Sequence, residues 1–213
     1  MNRRTRPPGA DEPPAGEVAV FGLAPHSGWA AVVALCASPA GLQVLARSRI
    51  EMADPQDPGS KQPYHAVEDL EVEEAARRLA RYRAVAEDKA YAAIKPLSED
   101  LAGRGCRATS LAVLDSMGRR GLSLASILAS HALIHAAEGD HFREALVGAA
   151  ERQGLAVSRI KARELEARAE TRLRRPISEL REDVKALGRQ VGSPWGADQK
   201  MAALLAWLLL EGS

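Results

Sequence analysis

The chain has 213 residues, 46% of them hydrophobic and 27% charged, which is typical of a folded globular protein and excludes disorder of the whole chain. Lys and Arg total 29 and Asp and Glu total 28, so the formal net charge of +1 provides no overall attraction to nucleic acid or to an anionic membrane. The two cysteines have neither a CxxC spacing nor a paired histidine motif, which excludes a disulfide scaffold and argues against a structural zinc site built on cysteine. The length predicts one domain.

The first 16 residues are rich in Pro and Gly and predict a disordered tail, so we expect residues 17–213 to form the single domain. No apolar run follows the early arginines, so a secretory signal is not predicted. The longest apolar stretch, 201–210, is too short to cross a bilayer. These features predict a cytoplasmic protein without a membrane partner, and the Ala- and Arg-rich composition is typical of a bacterial one.

Three apolar runs with short turn-like breaks come first and predict an antiparallel meander. They cover residues 17–23, 28–37 and 42–52. A loop over 52–63 then leads into a long helix over 66–102, in which Pro96 is expected to kink or interrupt the last turns.

The rest of the chain alternates strands and helices. Strands are predicted over 107–114 and 155–160, a loop over 117–121, and helices over 124–152, 162–174, 177–190 and 198–210. Ser123 is the expected N-cap of the first of these helices. The order β-β-β-α-β-α-β, followed by extra C-terminal helices, predicts an α/β fold with a mixed five-stranded sheet covered by helices on both faces.

Three stretches of the chain resemble a known family. The first resembles an opening hairpin and reads VAVFGLAPHSGWAAVVAL. The second resembles a helix, strand and following helix and reads ASHALIHAAEGDHFREALVGAAERQGLAVSRIKARELEARA. The third resembles a final helix that bears an aspartate and reads WGADQKMAALLAWLLL. Together they are similar to the ribonuclease H-like superfamily, and within it to the Holliday-junction resolvases of the RuvC type. The resemblance implies the ribonuclease H-like fold over most of residues 17–210.

The same resemblance implies a set of carboxylates that hold two divalent metal ions, Mg²⁺ or Mn²⁺, for phosphodiester cleavage. Ala24 stands where the family has its first acid, and a methyl group cannot bind a metal. Asp115 is near the place of the second acid, and Asp198 matches one member of the final pair, whose partner is absent. We therefore expect the fold without the family's full site, and no cofactor unless an altered enzyme keeps a divalent metal.

The predicted helix over 124–152 carries three ionisable residues on its apolar stripe. His131, His135 and Glu138 are spaced so that a metal ion could take two imidazoles and a carboxylate. The alternative is that His135 and Glu138 pair with each other or with backbone, because buried polar groups need a partner.

Two loops contain further candidates. His26 and Ser27, in the turn after the first strand, predict either a polar or phosphate-binding site or an ordinary hairpin turn. Tyr64 and His65, before the first long helix, predict either a ligand site or a hydrophobic staple at a helix start.

Positive charge is concentrated in the later part of the chain. Residues 151–189 hold eleven Lys and Arg against seven Asp and Glu, whereas 68–100 hold six against nine. The basic tract over 152–189 predicts either a surface that follows a phosphate backbone or a solvated helical face. The candidate contacts are Arg159, Lys161, Arg163, Arg168 and Lys200.

These observations support three functional hypotheses. The first is a catalytically degenerate domain that binds nucleic acid or a protein. The second is a metal-dependent nuclease or phosphodiesterase with an altered site made of His26, Asp115 and Asp198. The third is a structural subunit whose apolar C-terminal helix contacts a protein partner or a second copy of the chain.

Overall fold

The computed structural model of the protein describes residues 17–38, 41–115 and 121–211. The predicted tail over 1–16 and most of the predicted loop over 117–121 lie outside these residues. The strands are β1 (Glu17–His26), β2 (Trp29–Ser38), β3 (Gly41–Glu51), β4 (Cys106–Asp115) and β5 (Ala156–Lys161). The α-helices are α1 (Val72–Gly103), α2 (Leu124–Leu128), α3 (His131–Glu151), α4 (Ala162–Leu173), α5 (Ile177–Val191) and α6 (Ala197–Leu210).

The five strands form one sheet in the order β3-β2-β1-β4-β5. β1, β2 and β3 pair antiparallel, as a meander does, while β4 lies parallel to β1 and β5 parallel to β4. The predicted mixed five-stranded sheet is therefore confirmed. Because β1 and β4 are parallel neighbours, their carboxyl ends meet at the same edge of the sheet.

Each face of the sheet carries its own hydrophobic core, because alternate side chains of a strand point to opposite faces. Phe21 and Leu23 of β1 pack with α1 and α3, around Ile94 and Phe142. Val20 and Ala24 of the same strand lie in the opposite core, with α4, α5 and α6. With 4% aromatic residues in the chain, both layers are built mainly from Ala, Val, Leu and Ile.

Helix α6 lies unusually close to β1. A Cβ atom at Gly22 would overlap the carbonyl oxygen of Ala202 and lie 2.8 Å from the backbone nitrogen of Ala206. Only glycine permits this contact between a strand and a helix backbone. The close approach fixes the start of α6 over the carboxyl edge of β1.

β1 extends to His26, three residues beyond its predicted end, so His26 lies at the end of the strand and not in the turn. The first two predicted helices differ more from the prediction. The helix predicted over 124–152 is two helices, since Ser130 adopts an extended conformation and begins α3. The helix predicted from 66 begins at Val72, because His65–Val67 forms a turn of 3-10 helix and Glu71 has an extended ψ of 141°. Pro96 does not interrupt α1, which continues to Gly103.

The outer edge of β3 is covered by the segment around the end of α5. The side chain of Gln190 accepts a hydrogen bond from the backbone N–H of Val44 at 2.8 Å and donates one to the carbonyl of Leu42 at 3.0 Å. Arg47 donates to the carbonyls of Gly192 and Pro194. The two bonds of Gln190 satisfy backbone groups of β3 that could otherwise pair with another strand.

In the part of the chain that the structure describes, no helix combines the length and the apolar character that a membrane span requires.

Candidate nucleic-acid interface and histidine cluster

The carboxyl edge of the sheet brings together the residues that the resemblance singled out. Leu23 of β1 is in register with Val113 of β4, so Ala24 and Asp115 follow at the same edge. Ala24 is buried at 2% exposure and packs in the core beneath α6. Asp198 lies in the first turn of α6, which begins above this edge.

His26 and Asp198 are in direct contact. The Nε2 atom of His26 lies 2.9 Å from a carboxylate oxygen of Asp198, and both side chains are partly exposed. The ring of His26 stacks on Trp29 with 4.2 Å between centroids and 10° between planes. The guanidinium of Arg49 covers the other face of Trp29, 3.7 Å from its centroid. The stack holds the imidazole in one orientation and leaves neither face of Trp29 open.

Asp115 lies in a cationic environment. Its charge helps to raise the pKa of Arg159, after the larger effect of the hydrogen bond from Arg159 to Glu144. Burial lowers the pKa of Arg143, and Asp140 and Asp115 counteract that effect. Arg143 also donates to the carbonyl of Leu114 at 3.0 Å, which fixes its guanidinium beside the end of β4.

An open groove of about 930 Å³ runs between β5, α4 and the end of α6. Four arginines line it, together with one carboxylate, small side chains and the apolar residues Ile160, Leu208 and Leu209. The arginines are Arg159, Arg163, Arg168 and Arg172, and the carboxylate is Glu164. We call this surface the basic groove.

Positive charge along the basic groove exceeds the negative charge available to it. Glu164 is shared by Lys161 at 3.7 Å, Arg163 at 3.9 Å and Arg168 at 2.8 Å. No ion pair of Arg172 is found among residues 17–38, 41–115 and 121–211. Arg159 differs from the other three arginines, because both of its terminal nitrogens donate to Glu144 at 2.7 Å.

The structure places four of the five predicted nucleic-acid contacts at or beside this groove. Arg159, Arg163 and Arg168 line it, and Lys161 adjoins it through Glu164. Lys200 does not share this surface. It lines a separate groove of about 410 Å³ with Glu166 and Glu182 among its neighbours.

A cluster of three histidines lies on the opposite face of the sheet, beside α3. The Nε2 atoms of His131 and His135 are 3.0 Å apart, as expected for neighbours one helical turn apart. His65 is the third member, and one ligand nitrogen from each histidine lies within 4.8 Å of the other two. We call these residues the histidine cluster.

Glu138 does not complete the cluster in the way that the sequence suggested. It is buried at 3% exposure, and its carboxylate oxygen lies 2.9 Å from Nδ1 of His65 and 3.3 Å from the backbone nitrogen of His65. Position 138 is on the core side of α3, whereas His131 and His135 are exposed. The carboxylate therefore contacts the Nδ1 side of His65, and His65 replaces Glu138 as the third member of the cluster.

Sequence reasoning noticed His65 but did not connect it with α3. The predicted staple or cap with Tyr64 gave no reason for a contact 73 positions later in the chain. Tyr64 makes no side-chain cap and packs edge-on against His141, with 6.3 Å between ring centroids. Arg172 belongs to the predicted basic tract but was not among the five candidate contacts, although it lies on the same face of α4 as Arg168.

The cysteines take no part in either site. Cys36 and Cys106 are both free and buried. Burial raises the pKa of Cys36 to about 11, so its thiol stays protonated at neutral pH.

No protein-family model and no curated protein matches this sequence. Two solved structures of Thermus thermophilus RuvC are similar to it, each with 14% sequence identity. The structure described as a complex with Holliday junction substrate has a TM-score of 0.48 and an alignment over 90% of this chain and 91% of that chain. The second has a TM-score of 0.49 over 89% of this chain and 92% of that chain. At 14% identity, this similarity is a likeness of fold alone.

Proposed function

We propose that this protein binds the phosphate backbone of double-stranded nucleic acid through the basic groove, and that it does not cleave it by a two-metal reaction. The observation that carries the proposal is the excess of guanidinium over carboxylate along one open surface. Three cations share Glu164, and Arg172 has no carboxylate partner among the described residues. A polyanion would supply the missing negative charge.

The spacing of the arginines suits a linear ligand. Arg163, Arg168 and Arg172 lie on the groove side of α4 and span about 13 Å along the helix axis. The side chains of Arg163 and Arg168 are both more than half exposed, so their guanidinium groups are accessible to phosphate oxygens. Arginine is well suited to this contact because its planar guanidinium can donate two parallel hydrogen bonds.

The absence of stacking residues favours a duplex over a single strand. Proteins that hold single strands use aromatic faces for the bases, and no aromatic residue lines the basic groove in the part of the chain that the structure describes. Trp29, at the sheet edge, has His26 on one face and Arg49 on the other. Contacts to phosphate alone do not select a sequence, so we expect binding without sequence preference.

The residues at the carboxyl edge of the sheet do not fit a pair of Mg²⁺ or Mn²⁺ ions. Such ions take oxygen ligands, and Ala24 provides none. Asp198 already contacts His26, and Asp115 interacts electrostatically with Arg143 and Arg159. A site with a missing acid and neighbouring guanidiniums does not favour dications.

The test is a binding titration with a fluorescent 30-base-pair duplex, followed by anisotropy. We expect wild-type protein to bind at low salt, and the double variant Arg168→Glu/Arg172→Glu to lose at least tenfold in affinity. The matched control, Arg77→Glu/Lys95→Glu, makes the same change in net charge on α1, which lies on the other face of the sheet. We expect this control to bind within about twofold of wild type.

Two results would overturn the proposal. One is an equal loss of affinity in both double variants, which would show that only net charge matters. The other is cleavage of the duplex or of a four-way junction by the wild-type protein with Mg²⁺ or Mn²⁺ present.

A second function is favoured by the contact between His26 and Asp198. An imidazole held by a carboxylate can act as a general base for a water molecule at the sheet edge, which would make the protein a nuclease or phosphodiesterase of altered chemistry. Under that hypothesis, cleavage by the wild type would be abolished in both His26→Ala and Asp198→Ala. Cleavage that persists in either variant would reject it.

A subunit role through the C-terminal helix has less support. The apolar side chains of α6 from Ala202 to Leu208 are buried within the chain itself, against β1, β2 and β4. This burial leaves little apolar surface of the helix for a protein partner or a second copy of the chain.

A further inference from the structure

The histidine cluster joins two parts of the chain that are distant in sequence. His65 lies in the turn of 3-10 helix before α1, and His131 and His135 lie in the first two turns of α3. The turn is anchored by its own small core, in which Val67 packs with Leu79 and Tyr82 of α1. The backbone around His65 is thus held in place independently of the cluster.

The three rings meet through their edges and nitrogens, and they do not stack. The centroid of His65 is 5.3 Å from that of His131 and 4.8 Å from that of His135, with planes inclined at 78° and 59°. His131 and His135 are inclined at 79° to each other. One ligand nitrogen of each ring lies within 4.8 Å of those of the other two.

Glu138 explains which nitrogen of His65 is available. Nδ1 of His65 donates to the Glu138 carboxylate, so Nε2 carries the free lone pair. An imidazole supported by a carboxylate in this way is the usual arrangement of a metal-bound histidine. Glu138 is itself buried, and His65 is the single ionic partner that the described residues give it. A cation bound to His65 would compensate the cost of burying that charge.

We infer that His65, His131 and His135 bind one divalent first-row transition metal, with Zn²⁺ as the representative ion, and that Glu138 orients His65 as an outer carboxylate. Two nitrogens on one tetrahedral zinc are about 3.4 Å apart, given zinc–nitrogen distances near 2.0–2.1 Å. The Nε2 atoms of His131 and His135 are already 3.0 Å apart. The widest separation in the cluster, 4.8 Å, closes by rotation of side chains of which two are exposed.

The chemistry of the donors selects the class of ion. Three imidazoles suit Zn²⁺, Co²⁺, Ni²⁺ or Cu²⁺, whereas Mg²⁺ and Ca²⁺ prefer oxygen ligands. The cluster supplies three ligands, so a fourth position stays open to water. The metal would tie the segment before α1 to α3, on the sheet face opposite the basic groove, so this inference does not depend on the proposed function.

The test uses the full chain, dialysed against a chelator and then titrated with Co²⁺ and Zn²⁺. We expect one Co²⁺ per chain with visible d–d absorption of a four-coordinate ion, displaced by one equivalent of Zn²⁺. His131→Ala and His135→Ala are expected to lower the affinity for Zn²⁺ by about 100-fold or more. Glu138→Gln, which removes the charge of an outer carboxylate, is expected to lower it by about 10–100-fold.

His65→Ala decides between this site and a simple helical histidine pair. If the inference holds, this variant loses at least as much affinity as Glu138→Gln, and His65→Gln does the same while preserving side-chain size. His26→Ala, which removes a histidine outside the cluster, is the control and should still bind one metal ion. Circular dichroism of each variant checks that the fold is intact.

Two outcomes would overturn the inference. One is the absence of binding by wild-type protein at micromolar Zn²⁺ and Co²⁺. The other is unchanged affinity in both His65→Ala and His65→Gln, which would reduce the site to His131 and His135 alone. Either result concerns metal binding only and leaves the duplex titration unaffected.

Discussion

His26 and Asp198 are 172 positions apart in the chain, and their side chains lie 2.9 Å from each other. The sequence placed both at one sheet edge through the family resemblance. It could not predict that Trp29 and Arg49 would stack beside them, because these contacts depend on the registers of β2 with β1 and with β3. The pair and the stack together surround His26 at the carboxyl end of β1.

A double-mutant cycle measures the strength of this contact. Since both side chains are partly exposed, we expect a coupling energy between His26→Ala and Asp198→Ala of only about 0.5 kcal/mol in the free energy of unfolding. Urea unfolding of the two single variants and the double variant at pH 6 provides the numbers. Strictly additive effects would show that the contact contributes nothing to stability.

A buried imidazole makes stability depend on pH. His141 is 2% exposed, and burial, with the nearby charge of Arg83, lowers its pKa to about 4. An unfolded histidine has a pKa near 6.5, so between pH 6.5 and 4 the unfolded chain binds a proton that the native protein does not. The stabilisation is complete above pH 6.5 and is lost as the pH falls through this window.

His141→Leu tests that dependence. From pH 7 to pH 4.5, we expect wild type to lose about 2 kcal/mol more unfolding free energy than the variant. Urea unfolding of both proteins at several pH values in that range is the measurement, and the acidic residues common to both proteins cancel in the difference. Parallel curves for the two proteins would contradict the assignment of a neutral, buried His141.

At the scale of elements, the sequence predicted nearly all of the secondary structure. Alternating and continuous apolar runs identified all five strands, and the predicted antiparallel meander of the first three is observed. The division between α2 and α3 was missed because Ser130, whose backbone is extended, lies in an uninterrupted helical pattern. His65 was not linked to α3 for a similar reason, since no local pattern encodes the contact.

Gly22 tests the close packing of β1 and α6. In Gly22→Ala the new methyl group meets the backbone of Ala202 and Ala206, which cannot move aside as a flexible side chain can. We expect a loss of about 3 kcal/mol in unfolding free energy, together with a weaker contact between His26 and Asp198. Chemical denaturation, with histidine resonances observed by NMR, measures both effects.

Gly103→Ala is the matched control for that substitution. A methyl group at this position, the last residue of α1, meets no atom within 4 Å. We expect the stability of this variant to be unchanged or higher by up to about 1 kcal/mol. A similar destabilisation by both substitutions would contradict the role assigned to Gly22.

At the scale of the whole molecule, the two faces of the sheet differ in chemistry. The face covered by α4 and α6 carries the basic groove, and the face covered by α1 and α3 carries the histidine cluster. The sequence showed the charge imbalance along the chain but could not show that Lys200 and the α4 arginines lie in different grooves. The net charge of +1 for the whole chain is therefore compatible with a local excess of positive charge along the basic groove.

The salt dependence of duplex binding measures how many phosphates the basic groove neutralises. If Arg163, Arg168 and Arg172 each neutralise one phosphate, the logarithm of the binding constant should fall with the logarithm of salt concentration with a slope of about −2.7. In Arg168→Ala/Arg172→Ala the slope should become shallower by about 1.8, whereas Arg77→Ala/Lys95→Ala should keep the wild-type slope. Equal slopes for wild type and the groove variant, or no measurable binding by wild type at 50 mM salt, would contradict the account.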